Sequence, residues 1–410
     1  MRRLLVAVPI VTFLSCPAFG AGFQIAAQGA RAMGMGLAYT AVADDASAIY
    51  YNPAGLAFQR NEWILGGMVA QTLDGTFDAT GPTPAAGVHE EQRDGLNGLP
   101  QLYGMFGGPV KFGVGVYAPF GLPMRWEDPP TFSGRFISHT AMVKTINVNP
   151  TVAFKAGGFA LGIGGDYMIS KVQLERFIRP AVAPVNIAEV KLKGDIADSS
   201  GWGWNAGVMW KSGAWRLGGA YRSAIDVDHE ASATFTHLVP GLPATVPNGT
   251  FPATVAIEYP SAMNVGIAWN AGSTTFAFDA DRTNWSSFDR LDVFVGGATT
   301  PAIHRDPRWE DVWAWRVGVE TACGPLMCRA GYYRDSTPQP SEDVSPVLPD
   351  ADRQGFTVGL GFDYGSWALD IADVYAKFDD RTTSAPNNDS YFGTFKTTGN
   401  EIAVNFHWRP

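Results

Sequence analysis

The chain has 410 residues, 17 % of them charged and 46 % hydrophobic, with a formal net charge of −9 and a pI near 5.2. An average soluble domain carries about 25 % charged residues, so this chain is too apolar for disorder and too acidic for a nucleic-acid binder. Beyond the amino terminus no apolar run approaches the roughly 18 residues that a membrane helix needs, which leaves a soluble all-β protein or a membrane β-barrel.

Residues 1–20 read as a secretory signal. Arg2 and Arg3 supply the positive start, Leu4 to Leu14 the short apolar core, and Ala18-Phe19-Gly20 a small-x-small cleavage site. Lipidation at Cys16 is disfavoured, because Phe13-Leu14-Ser15 fits that site poorly and Pro17 follows it. The mature chain then begins at Ala21.

Residues 21–60 do not alternate. They hold Gly29, Gly34, Gly36, Asp44 and Asp45, and the turn Asn52-Pro53-Ala54-Gly55. Apolar residues such as Phe23, Ile25, Met33, Ile49 and Leu56 suit packing inside a barrel. The segment is too short for the plug domain of an energy-coupled receptor and is read as an N-terminal hatch inside the lumen.

From about residue 62 the pattern changes to period two, and residues 61–410 read as the barrel. Phe356, Val358, Leu360 and Phe362 oppose Thr357, Gly359, Gly361 and Asp363. Ile402, Val404, Phe406 and Trp408 oppose Glu401, Ala403, Asn405 and His407. Such alternation gives a sheet one apolar and one polar or small face. A soluble sandwich also alternates, but two features favour the membrane. Aromatic residues (Trp202, Trp210, Trp215, Trp269, Trp285, Trp367, Trp408) sit at the ends of the apolar stripes like an interfacial girdle, and short turns alternate with long polar connections. Strands are expected near 62–72, 99–107, 111–121, 140–155, 159–172, 202–211, 214–226, 261–270, 274–284, 312–322, 328–335, 355–364, 367–377 and 400–408. This makes an all-β, fourteen-stranded antiparallel transmembrane β-barrel, whose even strand number puts both termini on the periplasmic side.

In the third strand Pro119, Gly121 and Pro123 interrupt the alternation, and proline cannot donate to the ladder. Farther on, Cys323 and Cys328 flank Gly324-Pro325-Leu326-Met327, a turn between two strand-like runs. A hairpin-closing disulfide in an oxidising compartment is the expected role. A metal site is disfavoured there, since no His or second Cys pair lies nearby.

The segment AGFQIAAQGARAMGMGLAYTAVADDASAIYYNPAGLA at 21–57 resembles the mature amino terminus of the FadL family of outer-membrane transporters of long-chain fatty acids, whose relatives carry toluene and other hydrocarbons. The likeness continues through KTINVNPTVAFK (144–155), KVQLERF (171–177), NWSSFDRL (284–291) and YRDSTPQPSEDVSPVLPDADR (333–353). The resemblance implies passive transport in a Gram-negative outer membrane, without a cofactor and as a monomer. It implies ligand binding in the barrel, hatch rearrangement and lateral exit into the membrane lipids beside a kinked third strand. On these matches Asn52 and Pro53 fall on the hatch motif, Phe23 lies near the deep pocket, and Pro119, Gly121 and Pro123 mark the kink. Arg176 is the candidate for a fatty acid carboxylate, because a guanidinium pairs a carboxylate bidentately, and Phe177 is its neighbour in the ligand site. The second base of the fatty acid carriers is not evident, since Asp292 follows Arg290-Leu291. This departure leaves room for an uncharged hydrocarbon as cargo.

Other classes fit less well. A lipase needs a nucleophile with its base, and neither G-x-S-x-G nor a motif around His89, His139, His229, His237, His304 or His407 is present. A general porin or a purely structural barrel has no use for an apolar hatch.

Overall fold

The computed structural model describes residues 21–410, apart from 94, 180–189, 197, 198, 239–241, 244 and 245. The expected signal at 1–20, with Cys16, lies outside the described residues.

Fourteen antiparallel strands form the wall. They are β1 (Glu62–Ala79), β2 (Asn97–Gly107), β3 (Val110–Tyr117, continued by Gly121–Arg125), β4 (Thr140–Ala156), β5 (Phe159–Ile178), β6 (Ser199–Ser212) and β7 (Trp215–Arg222). The second half comprises β8 (Ala262–Ala271), β9 (Thr274–Thr283), β10 (Val312–Cys323), β11 (Leu326–Asp335), β12 (Arg353–Asp363), β13 (Trp367–Phe378) and β14 (Gly393–Trp408). Each pairs with its sequence neighbour, and β14 closes on β1 from Trp63↔Trp408 to Ala79↔Gly393. Closure leaves no edge to present unpaired backbone groups to lipid.

The alternation sets which face meets the bilayer. On β12, Phe356, Val358 and Leu360 are exposed at 54 %, 58 % and 42 %, while Gly355, Thr357, Gly359 and Gly361 are buried inward. The turns joining β2–β3, β4–β5, β6–β7, β8–β9, β10–β11 and β12–β13 are short, and each carries a glycine at positive φ, such as Gly157 at 60° and Gly272 at 66°. Near these turns Trp215 packs beside Trp269 and Trp367 pairs across to Trp408. Toward the long loops, Trp202 meets Tyr167 and Trp313 meets Trp315. Trp285 corrects the expected girdle: it is fully buried in the lumen.

The strands also run farther than alternation alone marked, with β1, β5 and β14 rising beyond 72, 172 and above 400. The long connections are not all irregular either. The top of β5 pairs with Val190–Ile196, which pairs with Ile225–His237, which pairs with Gly249–Tyr259. The last of these meets Leu291–Val295, itself in a hairpin with Ile303–Arg305. These strands extend the barrel's own sheet above the rim and enclose the upper lumen.

Residues 21–58 fill the lower lumen through two short helices, α1 (Ala30–Gly34) and α2 (Ala48–Tyr51), and a 3-10 turn at Pro53–Phe58. Inward-facing glycines let this backbone lie directly on the wall. A Cβ at Gly162 would collide with Pro53, at Gly218 with Thr40, at Gly318 with Met35 and at Gly331 with Gly36.

Candidate functional site

Above the hatch lies a cavity of about 850 Å3, within the range of pockets that hold drug-sized ligands. Leu122, Val143, Val172, Leu174, Val255 and Ile257 supply apolar walls from β3, β4, β5 and the rim strands. The hairpin 291–305 leans over it through Leu291, Val293 and Val295.

Arg176 projects from the inward face of β5 into this space. Its Nε is buried with no hydrogen-bond partner among the described residues, so the guanidinium keeps an unused donor there. Phe177 does not join it. A strand points successive side chains to opposite faces, and Phe177 packs instead under the loop before β4, 5.3 Å from the His139 ring, while its N–H donates to Arg135 O. The site contains a second guanidinium that sequence reading missed. Arg305 lines the same cavity and holds Asp389 through two bonds of 3.0 and 2.8 Å. The pair spans 84 residues, and no local motif announces it. Asp292, which stands where a second base was sought, instead meets His304 Nδ1 at 2.6 Å. Asp343 also lines the cavity, and burial raises its carboxyl above the usual range.

Phe23 forms the floor. Its ring stands edge-on to Trp285 at 4.7 Å, to Phe288 at 5.6 Å and to Phe120 and Tyr259 at 6.1 Å each, a box of aromatic quadrupoles in their preferred tilted contacts. The backbone on either side of Phe23 pairs with the wall break. Gly121 N donates to Phe23 O at 2.9 Å, and Ile25 N donates to Pro119 O at 2.8 Å.

That break spans Ala118–Phe120, between the two parts of β3. Pro119 lies in it, Gly121 at its upper edge, and Pro123 two residues beyond, paired with Met142. Thr145 Oγ1 satisfies the freed backbone, accepting from Phe120 N and donating to Phe120 O. Below the break β2 pairs with β3 from Leu102↔Val116 to Gly107↔Lys111. Above it Asn97–Gln101 pair with β1, and among the described residues no bond joins them to β3. Higher still, Gln92 bridges to Trp126 and the wall is sealed again. A lateral window therefore opens between β2 and β3, with the hatch strand 23–25 clasped to its frame.

Asn52 is buried and ties the hatch to itself and to the wall. Its Nδ2 donates to Thr40 O at 2.9 Å and to Val208 O at 3.0 Å, and its Oδ1 accepts from Ala54 N, so the Asx turn and the docking contact are one arrangement. Pro53 follows at the start of the 3-10 turn, against Gly162. Lower down, Arg31 of α1 holds Asp44 at 2.9 Å and Glu320 of β10 at 2.7 Å, and Asp44 also meets Arg216 of β7. Arg353 pairs with Asp350 at 2.9 Å, and Asp350 accepts from Gly22 N. Cys323 and Cys328 are bridged across the β10–β11 turn, Cα–Cα 5.9 Å, far from the cavity.

Comparison with known proteins agrees with this architecture. A family model described as "Outer membrane protein transport protein (OMPP1/FadL/TodX)" matches residues 11–408. The long-chain fatty acid transport protein of Salmonella typhi is 24 % identical over 402 residues, covering 89 % of each chain. Outer membrane protein P1 of Haemophilus influenzae is 24 % identical over 436 residues, covering 94 % of this chain and 90 % of the relative. Among solved structures, a Pseudomonas aeruginosa FadL homologue superposes with a TM-score of 0.82 at 18 % identity, over 95 % of this chain and all of that one. The P. putida toluene transporter TodX gives 0.69 at 15 % identity, over 96 % and 99 %. The chain belongs to the OMPP1/FadL/TodX family, outer-membrane transport channels for hydrophobic compounds in Gram-negative bacteria and not enzymes.

Proposed function

We propose that this barrel carries long-chain fatty acids passively across the outer membrane, working as a monomer among outer-membrane lipids. One observation carries the reading: the mostly apolar cavity contains a buried arginine donor, on Arg176, that no group among the described residues uses. An acyl chain would lie along the aliphatic walls while its carboxylate takes the Arg176 guanidinium. The far end of the ligand would then press on Phe23, which is both the cavity floor and part of the strand clasped to Pro119 and Gly121. Displacing Phe23 unclasps that strand, and the ligand leaves sideways through the window between β2 and β3. Lateral exit suits an apolar solute, because it passes into hydrocarbon without crossing an aqueous lumen.

A second reading is uptake of an uncharged aromatic hydrocarbon. What favours it is the aromatic box of Trp285, Phe288, Trp309, Phe120 and Tyr259 around Phe23, which would accept a small ring in its place.

Equilibrium binding of a fluorescent long-chain fatty acid to the detergent-purified barrel separates the readings, with oleate and toluene as competitors. Loss of a charge-assisted hydrogen bond is worth about 1.5–3 kcal/mol, so Arg176→Ala should weaken oleate roughly 10- to 150-fold and leave toluene unchanged. Displacement by toluene alone, or an oleate affinity indifferent to Arg176→Ala, turns the assignment to hydrocarbon uptake. Absence of saturable binding returns it to a porin or a structural barrel.

A further inference from the structure

Below the aromatic box, on the β9–β11 side, is a second cavity of about 40 Å3. It is lined by Ala21, Asp281 and Asp335, with Arg316, Asn264 and Thr283 among the remainder. Asp335 is fully buried, and among the described residues neither of its carboxylate oxygens has a hydrogen-bond partner. Asp281 directs one oxygen to Arg316 Nε, and its Oδ1 is likewise unpartnered. Arg316 approaches Asp335 only to 3.4 Å. Two carboxylates thus crowd the Arg316 guanidinium where water is scarce, with the Arg353 charge reaching Asp335 from farther off. A buried charge is tolerated only when it is paired and hydrogen-bonded, so the cavity calls for a compact cation.

Ala21 is held beside it. Its O accepts from Gln24 N at 3.3 Å, Gly22 N donates to Asp350 Oδ2 at 3.1 Å, and Gln24 Oε1 accepts from Thr283 Oγ1 at 3.0 Å. These bonds fix the residue from its C-terminal side, and it is 6 % exposed. Hydrolysis of the Gly20–Ala21 peptide bond by a signal peptidase consumes one water. It leaves a carboxylate on Gly20, which departs, and an ammonium group with three donors on Ala21.

We propose that this α-ammonium group is the missing partner of Asp335 and Asp281, so that removal of the signal completes the charge pairing beside the hatch. The inference rests on reading residues 1–20 as a cleaved signal and is independent of what the barrel carries. A cavity of this size has room for about one water-sized group, and an uncleaved precursor lacks the charge to fill it.

The test labels the amine. The full chain is exported, purified in detergent and acylated at neutral pH with an amine-reactive ester, and the N-terminal peptide is quantified by mass spectrometry. An α-ammonium held by carboxylates has its pKa raised, and each unit removes about tenfold of the reactive free base. Wild type should therefore label at least about tenfold more slowly than Asp335→Asn, with Asp281→Asn intermediate. If the Asn variants fail to fold, a mature chain extended by Ser-Ala before Ala21 replaces them; it should label rapidly, its amine having left the cavity. A wild-type amine that labels as fast as the extended one overturns the proposal, as does a mature chain that does not begin at Ala21.

Discussion

The lower lumen and the upper lumen are walled by the same fourteen strands yet solve opposite problems. Below, the inner face is glycine and charge: Gly318 and Gly331 let the hatch backbone touch the wall, and Arg31, Asp44, Glu320 and Arg216 tie the two together. Above, the inner face is valine, leucine and isoleucine around open space, with the Arg176 donor left unused. The first region is cohesive because ion pairs and close backbone contacts join the hatch to the wall. The second can bind because its apolar surface has none. A solute that enters from above meets a sealed floor, and the interruption in reach is the window at Ala118–Phe120. The contrast between a tied half and an open half is what the proposed side exit rests on.

That contrast can be broken most strongly at the charges. Arg31→Met keeps the bulk of the α1 side chain but leaves Glu320 and Asp44 short of a partner. Removing one member of a buried pair costs about 3–5 kcal/mol; Arg329 and Arg216 remain nearby, which puts the expected loss near the lower figure. The hatch should loosen without loss of the barrel, and an ion current should appear in planar bilayers while the strand content by circular dichroism stays constant. An unchanged current would mean that the ion pairs do not hold the seal.

Sterics make the next largest break. Gly331→Val places a side chain where the Gly36 backbone lies, an overpacking of about 1–3 kcal/mol. Gly165 is the matched control: it lies in β5, but a Cβ there meets nothing within 4 Å. Gly331→Val should raise bilayer conductance while Gly165→Ala does not. Equal behaviour of the two would remove the hatch–wall contact from the explanation.

The strands were legible because lipid imposes apolar side chains at every second residue, and all fourteen expected segments overlap the observed ones. Parity also carried information that went unused. Arg176 and Phe177 are consecutive on one strand and cannot both face the ligand. The seat of the hatch was written in inward glycines such as Gly318 and Gly331, whose meaning needs the partner backbone to be known. Trp285 was misplaced because a tryptophan serves an interface and a core equally well. The Arg305–Asp389 pair was beyond reach for another reason: its two members lie 84 residues apart, on different loops, with no local pattern to join them.

The smallest effect belongs to the mouth, where His304 of the hairpin 291–305 meets Asp292 at 2.6 Å and Asp306 at 3.3 Å. The hydrogen bond to Asp292, helped by Asp306, raises the imidazole pKa above its usual 6.5. A raised histidine is charged below its ordinary pKa and loses that charge as pH rises through the higher folded value. Its hold on Asp292, and its attraction for an incoming anion, are therefore full below the ordinary histidine pKa and fade as pH rises through the raised folded value. A long-chain alkyl sulfonate keeps its own charge across this range and isolates the protein's contribution. Its association rate should fall about twofold as pH rises through the folded pKa, more steeply at low salt than at high salt because the charge is exposed. Toluene should enter at one rate throughout, and His304→Ala should flatten the sulfonate profile. A sulfonate profile that survives that substitution would assign the pH dependence to Asp343, whose raised carboxyl loses its proton at higher pH than an ordinary one and then repels the same anion. The mouth would in that case select by repulsion from within the cavity and not by attraction at its rim.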